Sequence, residues 1–261
     1  MNLDRMTIAV RRRTVPEIYD LALLVLRRHL WRLALLAAIG TGPWIVLDWW
    51  LLRGASGSGF TWYWLLLLAS AQAPLATAPV TAFLGEAMFD EQPTVRTALR
   101  SAYAAWWPLT LIGLWYGFLA VFPPLLAAAP PHAVAVLTLE RLRGRAALSR
   151  AYALHRAYSS QWMLHLLLAA LLIPATLWLG IGTIEAFGQV LGHAQVMPDP
   201  GELGTDLNPT TSALPAIAVF ATLVYLAVVH FLAYLDLRTE REGWDIDLGL
   251  RRAAARLEGG G

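Results

Sequence analysis

Two histidines set in long apolar runs, His165 and His230, are the deepest groups in this chain able to carry a proton or ligate a metal. Ionisable groups inside a membrane are costly and therefore mark functional candidates. A proton relay or metal pair requires His165 to face His230 across a bundle, whereas a neutral histidine bonded to a neighbouring helix accounts for each equally well. Asp48 and Glu185 fall near one set of span ends, and Glu86, Glu140 and Asp236 near the other. The sequence has no glycine-rich phosphate loop, Ser/His/Asp constellation or paired intramembrane carboxylates. It also has no cysteine, which removes disulfides, thiolate nucleophiles, Cys-ligated zinc and iron–sulfur clusters. No catalytic residue, cofactor site or metal site is assigned, and a non-enzyme is expected.

The elements that must position these groups follow from composition. Of 261 residues 57% are hydrophobic and only 15% charged, against about 25% charged in ordinary soluble domains. A spanning helix needs about 20 mostly apolar residues, and residues 33–52, 60–84, 162–184 and 213–235 meet that need. The apolar stretch 107–139 is cut by Pro123-Pro124 and Pro130-Pro131, which remove donors and stop helices. It reads as two short helices, about 107–122 and 124–139, or as a re-entrant loop. The expected fold is all-α: one polytopic membrane domain over 1–248 with about six transmembrane helices, amphipathic interfacial helices, and a cytoplasmic tail over 249–261. The start of the chain lacks the pattern of a removable signal peptide.

Arginines near span ends stay on the cytoplasmic side. Arg96 and Arg100 precede the proline-cut stretch, and Arg141, Arg143, Arg145, Arg150 and Arg156 follow it. Both groups require one side, so 107–139 crosses an even number of times. Both termini then lie in the cytoplasm with every arginine except Arg53, while the outer loop 185–212 carries acids and no arginine. The net charge of +2 conceals this polarity and gives no argument for nucleic acid. The arginine face is a candidate dock for anionic lipid or a protein partner.

Thr14-x-x-Glu17 has the form of a capping box, with Pro16 suited to a first turn. It opens an amphipathic helix over 15–32 with Ile18, Leu21, Ala22 and Val25 on one face and Arg27, Arg28 and Arg32 toward its membrane end, read as an interfacial helix with basic groups at anionic head groups or as the cytoplasmic extension of the first span. An internal repeat, R-x-A-L-x-x-A-Y, occurs from Arg96 to Tyr103 and from Arg145 to Tyr152. Both copies are expected as short cytoplasmic helices, each with its Ala-Leu/Ala-Tyr positions on one stripe. Pro74, Pro79 and Pro174 are expected to kink spans, Gly113-x-x-x-Gly117 to allow close helix approach, and Tyr63 and Trp162 to join interfacial aromatic belts.

The tail carries Tyr234, Asp236, Arg238, Arg241, Glu242, Gly243 and Asp245 as Tyr-x-Asp-x-Arg followed by Arg-x-Glu-Gly-x-Asp. With the opening Arg13-Thr14-Val15-Pro16-Glu17-Ile18, this pattern resembles the six-helix membrane domain associated with bacterial glycerophosphodiester phosphodiesterases and related uncharacterised inner-membrane proteins. The similarity covers most of residues 13–248. It implies a bacterial inner-membrane module and not the hydrolase activity, because the chain carries neither a phosphodiesterase barrel nor its acidic metal cluster. The expectation is a non-catalytic subunit or scaffold of a membrane complex; the alternative is a small transporter or lipid-handling protein.

Overall fold

The computed structural model describes residues 14–53, 60–88, 93–140, 142, 144–190 and 208–242. The described chain is all-helical: α1 (Val15–Arg28), α2 (Leu30–Leu52), α3 (Thr61–Ala87), α4 (Val95–Ala104), α5 (Trp106–Ala120), a 3-10 helix (Pro123–Ala128), α6 (Ala133–Leu139), α7 (Gly144–Val190) and α8 (Leu214–Glu242). Among the described residues, four helices are long and apolar enough to cross a membrane: α2, α3, α7 over Trp162–Gly180, and α8 over Leu214–Thr239. They coincide with the four uninterrupted apolar runs. Their outer surface carries large apolar side chains such as Leu35, Val46, Leu167, Leu171 and Leu179, which in water would be a heavy exposed load.

Helix α1 starts as its sequence dictates. The Thr14 backbone N–H donates to Glu17 Oε2 at 2.9 Å, and Ile18, Ala22 and Val25 are buried. That face packs on α8, where the Tyr225 hydroxyl donates to the Tyr19 carbonyl at 3.1 Å. The helix expected over 15–32 breaks at His29, whose φ of −113° and ψ of 23° leave the helical region. The break lets the amphipathic α1 and the apolar α2 turn different faces to the bundle, so α2 begins three residues before the predicted span.

Helix α3 is the centre of the bundle, touching α2, α4, α5, α6 and α8. Two close approaches hold it. A Cβ at Gly40 of α2 would collide with the Ala76 carbonyl, and one at Gly113 of α5 with the Ala71 carbonyl; a Cβ at Gly117 would lie 2.9 Å from Ala71 Cβ. The Gly113/Gly117 pair thus packs within the chain, against α3. Helix α5 runs antiparallel to α3: Ala105 and Glu86 border one cleft at one end, and at the other the Tyr63 hydroxyl donates to the Val121 carbonyl at 2.8 Å.

The second short helix expected over 124–139 is not continuous. The paired prolines leave a 3-10 helix, a break at 129–132 and the seven-residue α6. Side chains add bonds to carbonyls there that already accept a backbone N–H, Leu126 O from Ala129 and Pro130 O from Ala133. Trp162 Nε1 donates to Leu126 O at 3.2 Å, and the Tyr116 hydroxyl donates to Pro130 O. Tyr63 and Trp162 therefore act as donors to irregular backbone as well as ring surface, a role the aromatic-belt expectation did not include.

Helix α7 departs most from expectation. The second repeat copy does not end as a short loop helix but runs without interruption into the span and on to Val190, through Pro174. Its entry uses Gly144 at φ +59°, a left-handed conformation natural to glycine. The helix thus takes up the first residues of the expected outer loop; 191–207 lie outside the described residues. The two copies share one packing device. Ala98 and Ala102 are buried in α4, as are Ala147 and Ala151 in α7, while Arg96 and Arg145 are exposed.

Candidate functional site

Polar groups gather in three places. At the first, α1, α7 and α8 bring together Tyr19, His165 and His230. The Tyr19 hydroxyl lies 2.7 Å from His165 Nδ1, with the two rings stacked at 5.3 Å. The His230 ring meets His165 edge-on at 5.9 Å and Trp162 at 5.2 Å. The two histidines singled out from sequence therefore do face one another. Burial raises the Tyr19 pKa further above its ordinary 10, so its hydroxyl keeps a proton to donate. His132, buried at the start of α6, packs 6.3 Å from the Tyr234 ring. No group of three or more His, Asp or Glu side chains placed to hold a metal occurs among the described residues.

At the second, Asp48 of α2 and Gln72 of α3 form an enclosed pair. Gln72 Nε2 donates to Asp48 Oδ1 at 2.6 Å. Asp48 is 0% exposed, and Asp48 Oδ2 and Gln72 Oε1 have no hydrogen-bond partner among the described residues. Asp48 sits four residues from the end of α2, which is why its position in the sequence suggested an interface. The available signal was a glutamine in the next span, the one amide there able to meet a carboxylate.

At the third, the far ends of α6, α7 and α8 converge on Glu140. Arg150 Nε donates to Glu140 Oε2 at 3.2 Å, and the Tyr234 hydroxyl donates to Glu140 Oε1 at 2.7 Å. Arg238 Nη1 donates to the Tyr234 oxygen at 3.3 Å, with its guanidinium 5.8 Å from the Tyr234 ring centre. Part of the tail pattern thereby meets part of the arginine group through an acid that sequence reading had placed only near a span end. Asp236 is half-buried on the same helix, and Arg241 and Glu242 continue it. Gly243 and Asp245 lie outside the described residues, as do Arg141 and Arg143.

The seven arginines thus divide. Arg150 is drawn into the Glu140 junction, while Arg100 borders a cleft with Glu86. Arg96, Arg145 and Arg156 are exposed, and none forms an ion pair among the described residues. Near these ends two imidazoles are held below their ordinary pKa of 6.5. Burial lowers His155, and burial, then Arg28 and Arg32, lowers His29. Both favour the neutral form, so neither adds to the positive face at neutral pH.

No protein-family model, curated protein or solved structure matches this chain.

Proposed function

We propose that this protein is a non-catalytic subunit or scaffold of a bacterial inner-membrane complex. In this reading both termini are cytoplasmic, and 107–139 adds two short crossings to the four long helices. Its exposed arginines Arg96, Arg145 and Arg156 dock a partner with an acidic surface. The observation that carries the reading is the Glu140 junction. It ties α6, α7 and α8 together with charged and hydroxyl groups, yet leaves these three arginines without a carboxylate among the described residues. Exposed charges of one sign on a braced layer steer an oppositely charged partner. The use of Tyr234 and Arg238 in that junction supports a structural role for the tail pattern, the part that resembles the phosphodiesterase-associated membrane domain. Arg96→Glu with Arg145→Glu is expected to lower partner recovery from native membranes about tenfold or more, as loss of close charge pairs does elsewhere, with insertion unchanged. Recovery equal to wild type would overturn the docking role.

A second reading, a small transporter or lipid-handling protein, is favoured by the contact of His165 with His230. In proteoliposomes containing a pH-sensitive dye, that reading expects proton flux that His165→Ala abolishes. Flux indifferent to both histidines, or no flux in wild type, removes it.

A further inference from the structure

The cleft between α3, α4, α5 and α6 holds about 450 Å3 and carries two opposite charges. Arg100 and Glu86 both border it, with the hydroxyls of Thr97 and Ser101, while Pro108 and Leu137 supply apolar wall. Glu86 does not neutralise Arg100: no ion pair joins them among the described residues, and Glu86 Oε2 instead accepts from the Thr97 hydroxyl at 2.6 Å. That threonine is itself held by Thr94, whose hydroxyl oxygen accepts from the Thr97 backbone N–H at 3.2 Å. The Glu86 carboxylate of α3 is therefore oriented by Thr97 of α4, the helix that carries the Arg100 guanidinium.

Two opposite charges that border one cleft without pairing fit a ligand that carries both signs. The guanidinium matches a phosphate, with Ser101 beside it on the cleft wall, and the carboxylate matches an ammonium. The cleft also lies at the end of a membrane-length helix, and between its lining residues Ala105 and Pro108 the chain carries the exposed indoles of Trp106 and Trp107, residue types of a membrane interface. A soluble zwitterion explains the charges but not the apolar wall or the indoles.

We propose that this cleft binds the headgroup of a zwitterionic phospholipid with a primary amine, its phosphate on Arg100 and its ammonium on Glu86. The inference needs α3 and α5 to lie in a bilayer but does not rest on partner docking, so either can fail alone.

The test uses the full chain purified in detergent, mixed with equal amounts of phosphatidylethanolamine and phosphatidylglycerol. Native mass spectrometry then counts retained lipid. Wild type is expected to keep one phosphatidylethanolamine with about tenfold preference, the scale of one charge-assisted contact. Glu86→Gln should erase the preference while keeping phosphate-bearing lipid. Arg100→Ala should lose both lipids, and Arg53→Ala, outside the cleft and outside the arginine face, should match wild type. Unaltered melting temperatures confirm that the variants are folded. Equal retention of the two lipids by wild type, or the same preference in Glu86→Gln, would overturn the proposal. Binding of soluble phosphoethanolamine without retention of lipid would overturn the lipid as its source.

Discussion

Gly113→Ala is expected to lower stability by about 3 kcal/mol, whereas Gly42→Ala should be neutral or slightly stabilising. Both glycines lie inside helices, so both substitutions gain the same helix propensity, about 1 kcal/mol at most. They differ in what the new methyl meets. At Gly42 nothing lies within 4 Å; at Gly113 the methyl meets the carbonyl of Ala71, with Pro74 Cδ 3.8 Å away. A backbone oxygen cannot rotate aside as a side chain can, so α5 must move off α3 and lose the contacts around Leu109 and Ile112, both buried. Overpacking costs about 1–3 kcal/mol and sometimes more, and a rigid obstacle places this case at the upper end. For a chain of this size the melting temperature should fall by about 6–12 °C. Tryptophan fluorescence in lipid nanodiscs provides the measurement, with twelve indoles as reporters. Equal melting of the two variants would mean that α3 and α5 are not in contact through Gly113.

Glu140→Gln should cost about 2 kcal/mol, and the loss should be coupled to Tyr234. Removing one partner of a fully buried ion pair costs about 3–5 kcal/mol. Here the side chains of Arg150 and Glu140 are 29% and 14% exposed, so water screens part of that cost. The amide leaves Arg150 facing a neutral group and weakens the acceptor used by Tyr234. Tyr234→Phe alone removes one hydrogen bond, about 1 kcal/mol. The double variant should lose less than the sum of the two, because both remove the same contact. Strict additivity in thermal unfolding would show that the junction does not act as a unit.

What could be read from sequence divides along a physical line. Apolar length gave the four long helices, because exclusion from water needs no knowledge of a partner. Amphipathic contrast gave part of the buried faces of α1 and α4: Ile18, Ala22 and Val25 turn inward, as do Ala98 and Ala102, while Leu21 and Leu99 are half-buried and Tyr103 is exposed. Inside the bundle that contrast disappears, since a helix surrounded by lipid and other helices is apolar on every side. The partners of Gly113, Asp48 and Glu140 therefore had no periodic signal. They are set by which helices pack together, and pairs such as Asp48–Gln72, 24 positions apart, or Tyr234–Glu140, 94 apart, leave no local trace. Glu140 and Asp48 were visible as types but assigned by distance from a span end, a measure that ignores which face each occupies. Proline spacing foretold the break in 107–139, but not the indole and phenol donors that accept its consequences.

Those donors give the broken stretch an unusual dependence. A helix carries its own hydrogen-bond ladder and retains it wherever it lies, but Val121, Leu126 and Pro130 offer their carbonyls to Tyr63, Trp162 and Tyr116 on three separate helices. Local order in a protein ranges from fraying to global stability according to such contacts. Residues 121–130 have only the short local ladder of one 3-10 helix: the rest of their support is conditional on α3, α5 and α7 being assembled together, and any separation of those three is felt there first.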